Sequence, residues 1–516
     1  MATNYTSKKL AFNNAEQFKE SFSEPEPSTV GYVFIGNHVP YANESSPDSI
    51  IDSTFDEKTV WDNMFAAKKV TGNDVELVAP RVNWTANTKY KQFDDKIDID
   101  TLLTGNTTLN LKPMYVITSG RNVYKCLSNN ASANSTVEPI DDFVTSNGTI
   151  STADGYIWKY LFNVKPSNRF LTNDWIPAPV STSKLDYGVS STSPVDGELT
   201  TIIVVNGGTG YQNPTINTTA FLSGVSTLTL ANTANVAANM IVSGTGIATD
   251  TLVSSVNTLT NIVTLSTPTI AVGGGSGNTT TFTTRIYIEG DGIGAEASAN
   301  IVNSSIAKIT VDTFGTGYTF ANAFVFGSGT NANTRCIIPP KWGHSFNPAK
   351  EINASNVMIN ERIGSVNSTE QGLISVDTSI RQYGLLRDPY KYDSITPAIS
   401  SNANSVISQT TNLTLVAGTD FTLNEFVYQG SSANTATFYG RVNAQSSNEV
   451  RLSRVRGVST VGGTLIGATS GVIRTVVKEA KPEFEPYTGD ILYAENVTKI
   501  DRADGKAENI KFVIRF

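Results

Sequence analysis

Two histidines, His38 and His344, two cysteines, Cys126 and Cys336, and a few paired carboxylates are the residues on which chemistry could rest in this 516-residue chain. A nucleophilic cysteine needs an imidazole oriented beside it to take its proton. Cys126 lies in the apolar run 123–127 and Cys336 precedes Ile337-Ile338, so both read as small core residues. A reducing compartment disfavours a disulfide between them. Neither histidine stands in an His-Glu-x-x-His pattern, and the cysteines lack zinc spacing, so no metal ligand is assigned. Asp94-Asp95 and Asp141-Asp142 are adjacent carboxylates, which diverge in a strand or turn and do not give the facing separation of a glycosidase pair; both read as solvated loops. Gly207-Gly208-Thr209-Gly210 has the composition of a phosphate cradle, but no Gly-Lys-Ser/Thr follows and no helix succeeds it, so it reads as a structural turn. Catalytic and cofactor-binding residues are therefore read as none, no cofactor is expected, and partner-binding residues stay unassigned.

Charge narrows the classes further. The formal net charge is -8, and the densest basic stretch is Arg451-Leu452-Ser453-Arg454-Val455-Arg456. A phosphate-tracking surface needs clustered cations, so no nucleic acid is expected and this stretch reads as a solvated or interfacial face. No run approaches the ~18 apolar residues of a membrane span, and the first residues, Met1 to Lys9, lack an apolar signal core, so no membrane insertion and folding in a cytoplasm are expected. Only 16% of residues are charged, and Asn, Thr, Ser and Gly fill the deficit. Thr favours pleated strands while Asn and Gly accept positive φ, which points to a mainly β protein with many turns and minor helices.

Two helices are expected. The first is capped by Asn13 or Asn14 and sets Phe18 and Phe22 on one face; the second begins at the capping-box spacing Thr54-Phe55-Asp56-Glu57. Trp61, Met64, Phe65 and Ala67 continue its period, Lys68 and Lys69 suit its last turn, and Gly72 can stop it. From about 196 the texture changes to Gly-punctuated strands. Residues 202–211, ending Gly208-Thr209-Gly210-Tyr211, are echoed 107 positions on by 309–318, ending Gly315-Thr316-Gly317-Tyr318. This predicts a strand, a tight turn of positive-φ glycines, and a tyrosine folded back over the turn. Within that module, 219–284 reads as a nested insertion whose ends near Thr218 and Arg285 should meet. A second insertion, 396–480, opens in the polar stretch 400–404 and continues as a small β-barrel pattern.

The remaining segments carry a resemblance. Tyr32-Val33-Phe34-Ile35-Gly36 with Pro40-Tyr41, then Pro80-Arg81-Val82-Asn83-Trp84 with Tyr90, Val123-Tyr124-Lys125-Cys126-Leu127, Asp154-Gly155-Tyr156-Ile157-Trp158-Lys159-Tyr160-Leu161-Phe162, Asn168-Arg169 and Trp175-Ile176-Pro177 follow one another in order. Arg381-Gln382-Tyr383-Gly384-Leu385-Leu386, Gly489-Asp490-Ile491-Leu492-Tyr493 and the terminal Ile510 to Phe516 complete the series. Together they resemble the baseplate wedge protein family, the gene-eight products, of T-even-like contractile-tailed phages. Segments 196–337 and 396–480 depart from that pattern. The resemblance implies a discontinuous β-sandwich core, in parts 1–195, 338–395 and 481–516, carrying inserted small β domains at 196–337 and 396–480, with the strands near 156–162, 381–386 and 510–516 sharing one core. It implies a non-enzymatic homodimer that joins other baseplate wedge subunits in the virion tail baseplate, assembled in the host cytoplasm. The alternative is a carbohydrate- or receptor-binding accessory of the tail, making host-surface glycan contact through the inserts; a depolymerase is disfavoured by the missing catalytic constellation.

Overall fold

The computed structural model describes residues 8–23, 30–140, 148–180, 194–275, 278–363, 378–396, 406–502 and 508–516. Asp141-Asp142, the polar stretch 400–404 and the turn residues Ser276-Gly277 lie outside them. The chain is mainly β with minor α, and it divides into two compact units, residues 1–78 with 355–516, and residues 79–354.

In the first unit the strand Gly31–Gly36 is buried at every position, as a central strand covered on both faces must be. It pairs antiparallel with Met64–Lys69 on one side and Ser379–Arg387 on the other; Val406–Ser408 and Asp490–Asp501 complete a five-stranded sheet. A second sheet carries Asn356–Ile363 between Val75–Pro80 and Glu508–Arg515. The sheets are joined by Ile35, Phe65, Ala66, Ile363, Ile380 and Val406, with Tyr383 and Ile510 against them. The opposite face of the larger sheet packs Tyr32, Phe34 and Leu386 against Val60 and Trp61 of the helix Thr54–Asn63.

That helix is shorter than its sequence suggested. Ser53, one residue earlier than expected, is the cap, its hydroxyl accepting from the Asp56 amide at 3.1 Å. The chain turns extended at Met64, so Met64, Phe65, Ala67 and Lys68 sit in a strand, not a helix. Met64 to Lys68 are all buried, and a run covered on both faces has no period that separates strand from helix. The partners, Gly31–Gly36 and Val406–Ser408, decide it. The first helix, Lys8–Ser21, also departs from expectation: Asn13 and Asn14 lie mid-helix, while Phe18 and Phe22 do meet edge to face at 5.1 Å.

Residues 411–480 close into a six-stranded barrel filled by Leu413, Val427, Phe438, Val442, Val450, Leu452 and Leu465. Its first and last strands pair, with Asn412 opposite Ala480. Val406–Ser408, inside the segment expected to be inserted from about 396, belongs instead to the sandwich sheet through Ala66 to Lys68.

In the second unit Tyr115–Ile117, Asn122–Ser128, Ile157–Asn163 and Thr149–Ser151 form an antiparallel sheet in that order. Residues 154–162 thus fall in a different unit and sheet from 381–386 and 489–516, and the single core expected to unite them is not formed. These strands share a similar apolar pattern and follow one another along the chain, but their order does not specify which sheet each joins.

The duplicated turn takes the expected form. Gly208 and Gly315 both have φ of 62°, Gly210 has 81° and Gly317 79°, conformations that L side chains rarely adopt. Tyr211 and Tyr318 fold back, buried, over the turn. Each ring fills the space a side chain would need at a facing glycine: a Cβ on Gly329 would stand 2.4 Å from the Tyr211 ring, and one on Gly292 2.4 Å from the Tyr318 ring. Between the copies, 219–284 supplies strands around Phe221, Leu228, Met240, Val242, Val263 and Phe282. Its ends do approach: Thr215 lies opposite Thr281, and the Thr284 amide donates to Asn213 Oδ1 at 2.7 Å.

Candidate functional site

The residues of Asp154–Phe162 divide by the two-residue period of a strand. Tyr156, Trp158 and Tyr160 turn to one face with Tyr90, Tyr124 and Cys126, and Tyr156 stacks on Trp158 at 5.4 Å. The Asp154 carboxylate fastens the turn before them, accepting from the amides of Thr136 at 2.7 Å, Val137 at 3.0 Å and Tyr156 at 3.3 Å. On the other face Lys159 stands directly opposite Lys125 of the neighbouring strand. Both are almost wholly buried, and like charges across a strand pair repel, so each needs its own carboxylate. Lys159 Nζ donates to Glu198 at 2.9 Å, and Lys125 Nζ to Glu351 at 2.9 Å.

Four further ties extend this cluster. Glu351 also receives the Ser345 amide at 2.5 Å and faces His344 at 3.3 Å; the Ser345 hydroxyl donates to the Tyr160 carbonyl; and Lys125 sits 3.8 Å from the Phe93 ring centre. The two glutamates respond in opposite directions. Burial pushes both carboxyls up, but Lys125 and His344 outweigh it at Glu351 and hold it at about 2. Glu198 has Lys159 alone, its Oε2 finds no partner among the described residues, and burial leaves it raised. Burial, with Lys125 beside it, pushes His344 down to about 4, so the ring is neutral at pH 7.

The cluster is placed where the chain enters and leaves the repeat module, whose strands run from Ile202 to Cys336. Glu198 precedes the first module strand, Ile202–Thr209, and His344, Ser345 and Glu351 follow the last, Thr330–Cys336. Those two strands pair with each other, Ile202 opposite Cys336. Beside them Arg335 is ion-paired to both Asp94 and Asp95, and the Thr201 hydroxyl donates to the Leu127 carbonyl at 3.0 Å. The arrangement is a charged clamp on both stalks of the module. It corrects the reading of Asp94-Asp95 as a solvated loop: Asp94 is buried against Arg335. Nothing local in the sequence announces a partner 240 positions away, whereas the buried acids were missed although a lysine inside each of two apolar strands is a signal that could have found them.

The remaining chemistry-bearing residues hold structure. His38 is buried, Nδ1 2.6 Å from Asn424 Oδ1 and Nε2 2.6 Å from Ser453 Oγ of the barrel, and burial lowers it to about 4. The basic stretch docks the barrel on the end of the helix Thr54–Asn63: Arg454 donates to Asn63 Oδ1 and Arg456 to Asp62. Cys126 and Cys336 are buried free thiols, and burial pushes both up, Cys336 to about 11. Gly208 and Gly210 belong to the structural turn. Among the described residues no group of three His, Cys, Asp or Glu side chains is placed to hold a metal, and no helix is long and apolar enough to cross a membrane.

One solvent-facing feature of the module was not foreseen. Strands Arg285–Gly290 and Ala321–Phe326 pair with Tyr287 opposite Phe324 and Arg285 opposite Phe326. Their inner faces, Ile286 and Ala323, are buried, so the rings turn outward. Tyr287 stands 6.4 Å from Phe324 and 6.2 Å from Phe326, with the Arg285 guanidinium 4.9 Å from the Tyr287 ring centre. Tyr287 and Phe324 are 39% and 43% exposed, an aromatic ladder of the composition that dominates protein interfaces. No family model matches the chain, and no curated protein matches it.

Proposed function

We propose that the chain is a non-enzymatic structural subunit of a contractile phage tail baseplate wedge, which dimerises, joins neighbouring wedge proteins in the virion and transmits their movement. Its place of assembly would be the host cytoplasm, and neither nucleic acid nor a membrane is among its partners. The ordered sequence resemblance motivates the reading. The observation that carries it is the clamp: Lys125 and Lys159, in two of the segments that form the resemblance, grip both stalks of the repeat module. A surface element held by two chain crossings and buried ion pairs passes a displacement to the sheet beneath instead of pivoting freely. The ladder at Tyr287, Phe324 and Phe326 is the face we assign to a neighbouring subunit.

Light scattering over a wide concentration range, followed by mixing with the other wedge proteins of the same tail, tests the proposal. A dimer that resists dilution and enters a complex is expected, with Tyr287→Ser/Phe324→Ser weakening complex formation while leaving the fold intact. A monomer at all concentrations that joins no wedge protein would defeat it. The ladder also favours a second reading, an attachment accessory that stacks sugar rings on Tyr287 and Phe324; glycan binding lost in the same double variant, without wedge assembly, would select that one.

A further inference from the structure

A pocket of about 590 Å³ in the second unit is lined by Arg81, Asn83, Trp84, Arg121 and Glu138, with Ile117, Pro166 and Leu171 as its apolar part. Its walls are firmly built. The Trp84 amide donates to the Ile117 carbonyl at 3.0 Å, and the indole N–H is engaged by Ser135 at 3.1 Å. Arg81 is held from two sides, Nε donating to Asn83 Oδ1 and Nη1 to the Thr172 carbonyl, both at 2.8 Å.

Arg121 is the anomaly. It occupies the hairpin turn between Tyr115–Ile117 and Asn122–Ser128 with φ of 63°, where glycine or asparagine would sit without strain. Its side chain makes no hydrogen bond or ion pair among the described residues, and its Nε is shielded from solvent with no partner. An arginine kept on a strained backbone, with its guanidinium partly desolvated and unpaired beside a concavity, signals a missing acceptor.

We propose that this pocket binds a carboxylate-bearing sugar unit of an acidic saccharide, the carboxylate received by Arg121 and Arg81 and a ring face lying against Trp84. Planar guanidinium groups match a carboxylate in shape and charge. The rim favours a saccharide over a carboxylate-dense peptide or a phosphate chain. Glu138, which already accepts from the Ser119 amide at 2.6 Å and from its hydroxyl at 3.2 Å, retains lone pairs for sugar hydroxyls but repels a second run of anions. The apolar wall gives the ring carbon face something to cover, as ligand pockets of this size do.

The full-length protein should be applied to an array of uronate- and sialate-containing oligosaccharides with their neutral counterparts, and the best binder titrated by calorimetry against the neutral analogue, inorganic phosphate and triglutamate. Arg121→Gly is the decisive variant, because it removes the guanidinium while relieving the turn, so the protein should fold at least as well as before. Expected are binding of an acidic oligosaccharide, loss of at least about tenfold in affinity in Arg121→Gly, and a similar preference over the neutral analogue. Retention of no acidic glycan overturns the proposal. So does unchanged affinity in Arg121→Gly, or phosphate or triglutamate binding as tightly as the sugar.

Discussion

Replacing Lys159 by methionine keeps the length and apolar stem of the side chain and removes only its charge. Glu198 would then face its buried site alone, with Oε2 already lacking a partner among the described residues and burial already raising its carboxyl. Removing one member of a buried pair costs roughly 3–5 kcal/mol, because the survivor is an uncompensated charge. Lys125 opposite would gain slightly from losing a like charge, which places the expected cost at the lower end, about 3 kcal/mol. The cost must also depend on pH. In the variant Glu198 takes up a proton more readily in the folded than in the unfolded chain, so its penalty is absent below the unfolded carboxyl value and grows as pH rises through the folded one. The deficit should therefore be larger at pH 8 than at pH 5. Lys159→Met/Glu198→Leu removes both charges, and the double variant should recover most of the loss, to within about 1 kcal/mol of the parent. Urea unfolding read by hydrogen exchange in peptides covering 157–163 reports the unit concerned, without assuming that the whole chain unfolds together. If Lys159→Met loses under about 1 kcal/mol at pH 8, or the double variant is as unstable as the single one, the clamp does not hold the stalks as argued.

Glu361 offers a separate pH test: burial, with Asp74 nearby, outweighs its 2.9 Å contact with Lys68 and raises its carboxyl from 4.5 to about 7. Stability linked to it is fully present below 4.5 and lost as pH climbs to 7, so Glu361→Gln should gain on the parent by about 2.5 kcal/mol between pH 5 and 8; a pH-independent difference in urea midpoints would refute this. Replacing 410–480 by a short Gly/Ser linker should leave a folded sandwich by circular dichroism, since Asn412 and Ala480 are paired neighbours, whereas a deletion starting at 400 also removes the edge strand Val406–Ser408 and should be clearly less stable. Gly292→Ala and Gly329→Ala should each lower stability by about 2 kcal/mol in thermal unfolding, because their new methyl groups meet the Tyr318 and Tyr211 rings. Equal losses are expected from the two, given the duplicated geometry, and a neutral effect at either would show that its tyrosine can move aside.

What the sequence disclosed was local. The strand-Gly-x-Gly-Tyr repeat could be read because its turn is made by residues adjacent in the chain, and the φ demanded at Gly208 and Gly315 leaves a compositional trace. The barrel could be read for the same reason, its short alternating strands at 426–429, 438–446 and 449–457 being neighbours in space as well as in order. Met64–Lys69 could not, since a run buried on both faces carries no period, and its fate rests on strands that precede it by about thirty positions and follow it by hundreds. Nor could the division into units. The match of ordered segments says that strands exist; pairing 157–163 with 122–128, and 382–387 with 31–36, is decided by side-chain fit across the sheet.

The clamp lay between these cases. In Val123-Tyr124-Lys125-Cys126-Leu127 and Trp158-Lys159-Tyr160-Leu161 a lysine interrupts a strand that is otherwise apolar, and a lysine fully buried without a partner is rarely tolerated. From that alone each strand calls for an acid from elsewhere in the chain. Identifying the acid is not a local matter, since Glu198 and Glu351 are among 46 carboxylate residues. Yet the constraint is directional: the acids must arrive on the face opposite Tyr156, Trp158 and Tyr160, and must come from segments that cross that face. The two that do so are the chain's departure into the repeat module and its return. An ion pair placed there ties the module more tightly than the same pair on a solvated loop, where screening would leave it worth little. The positions of these lysines thus link the most recognisable strand of the chain to the support of its least recognisable domain.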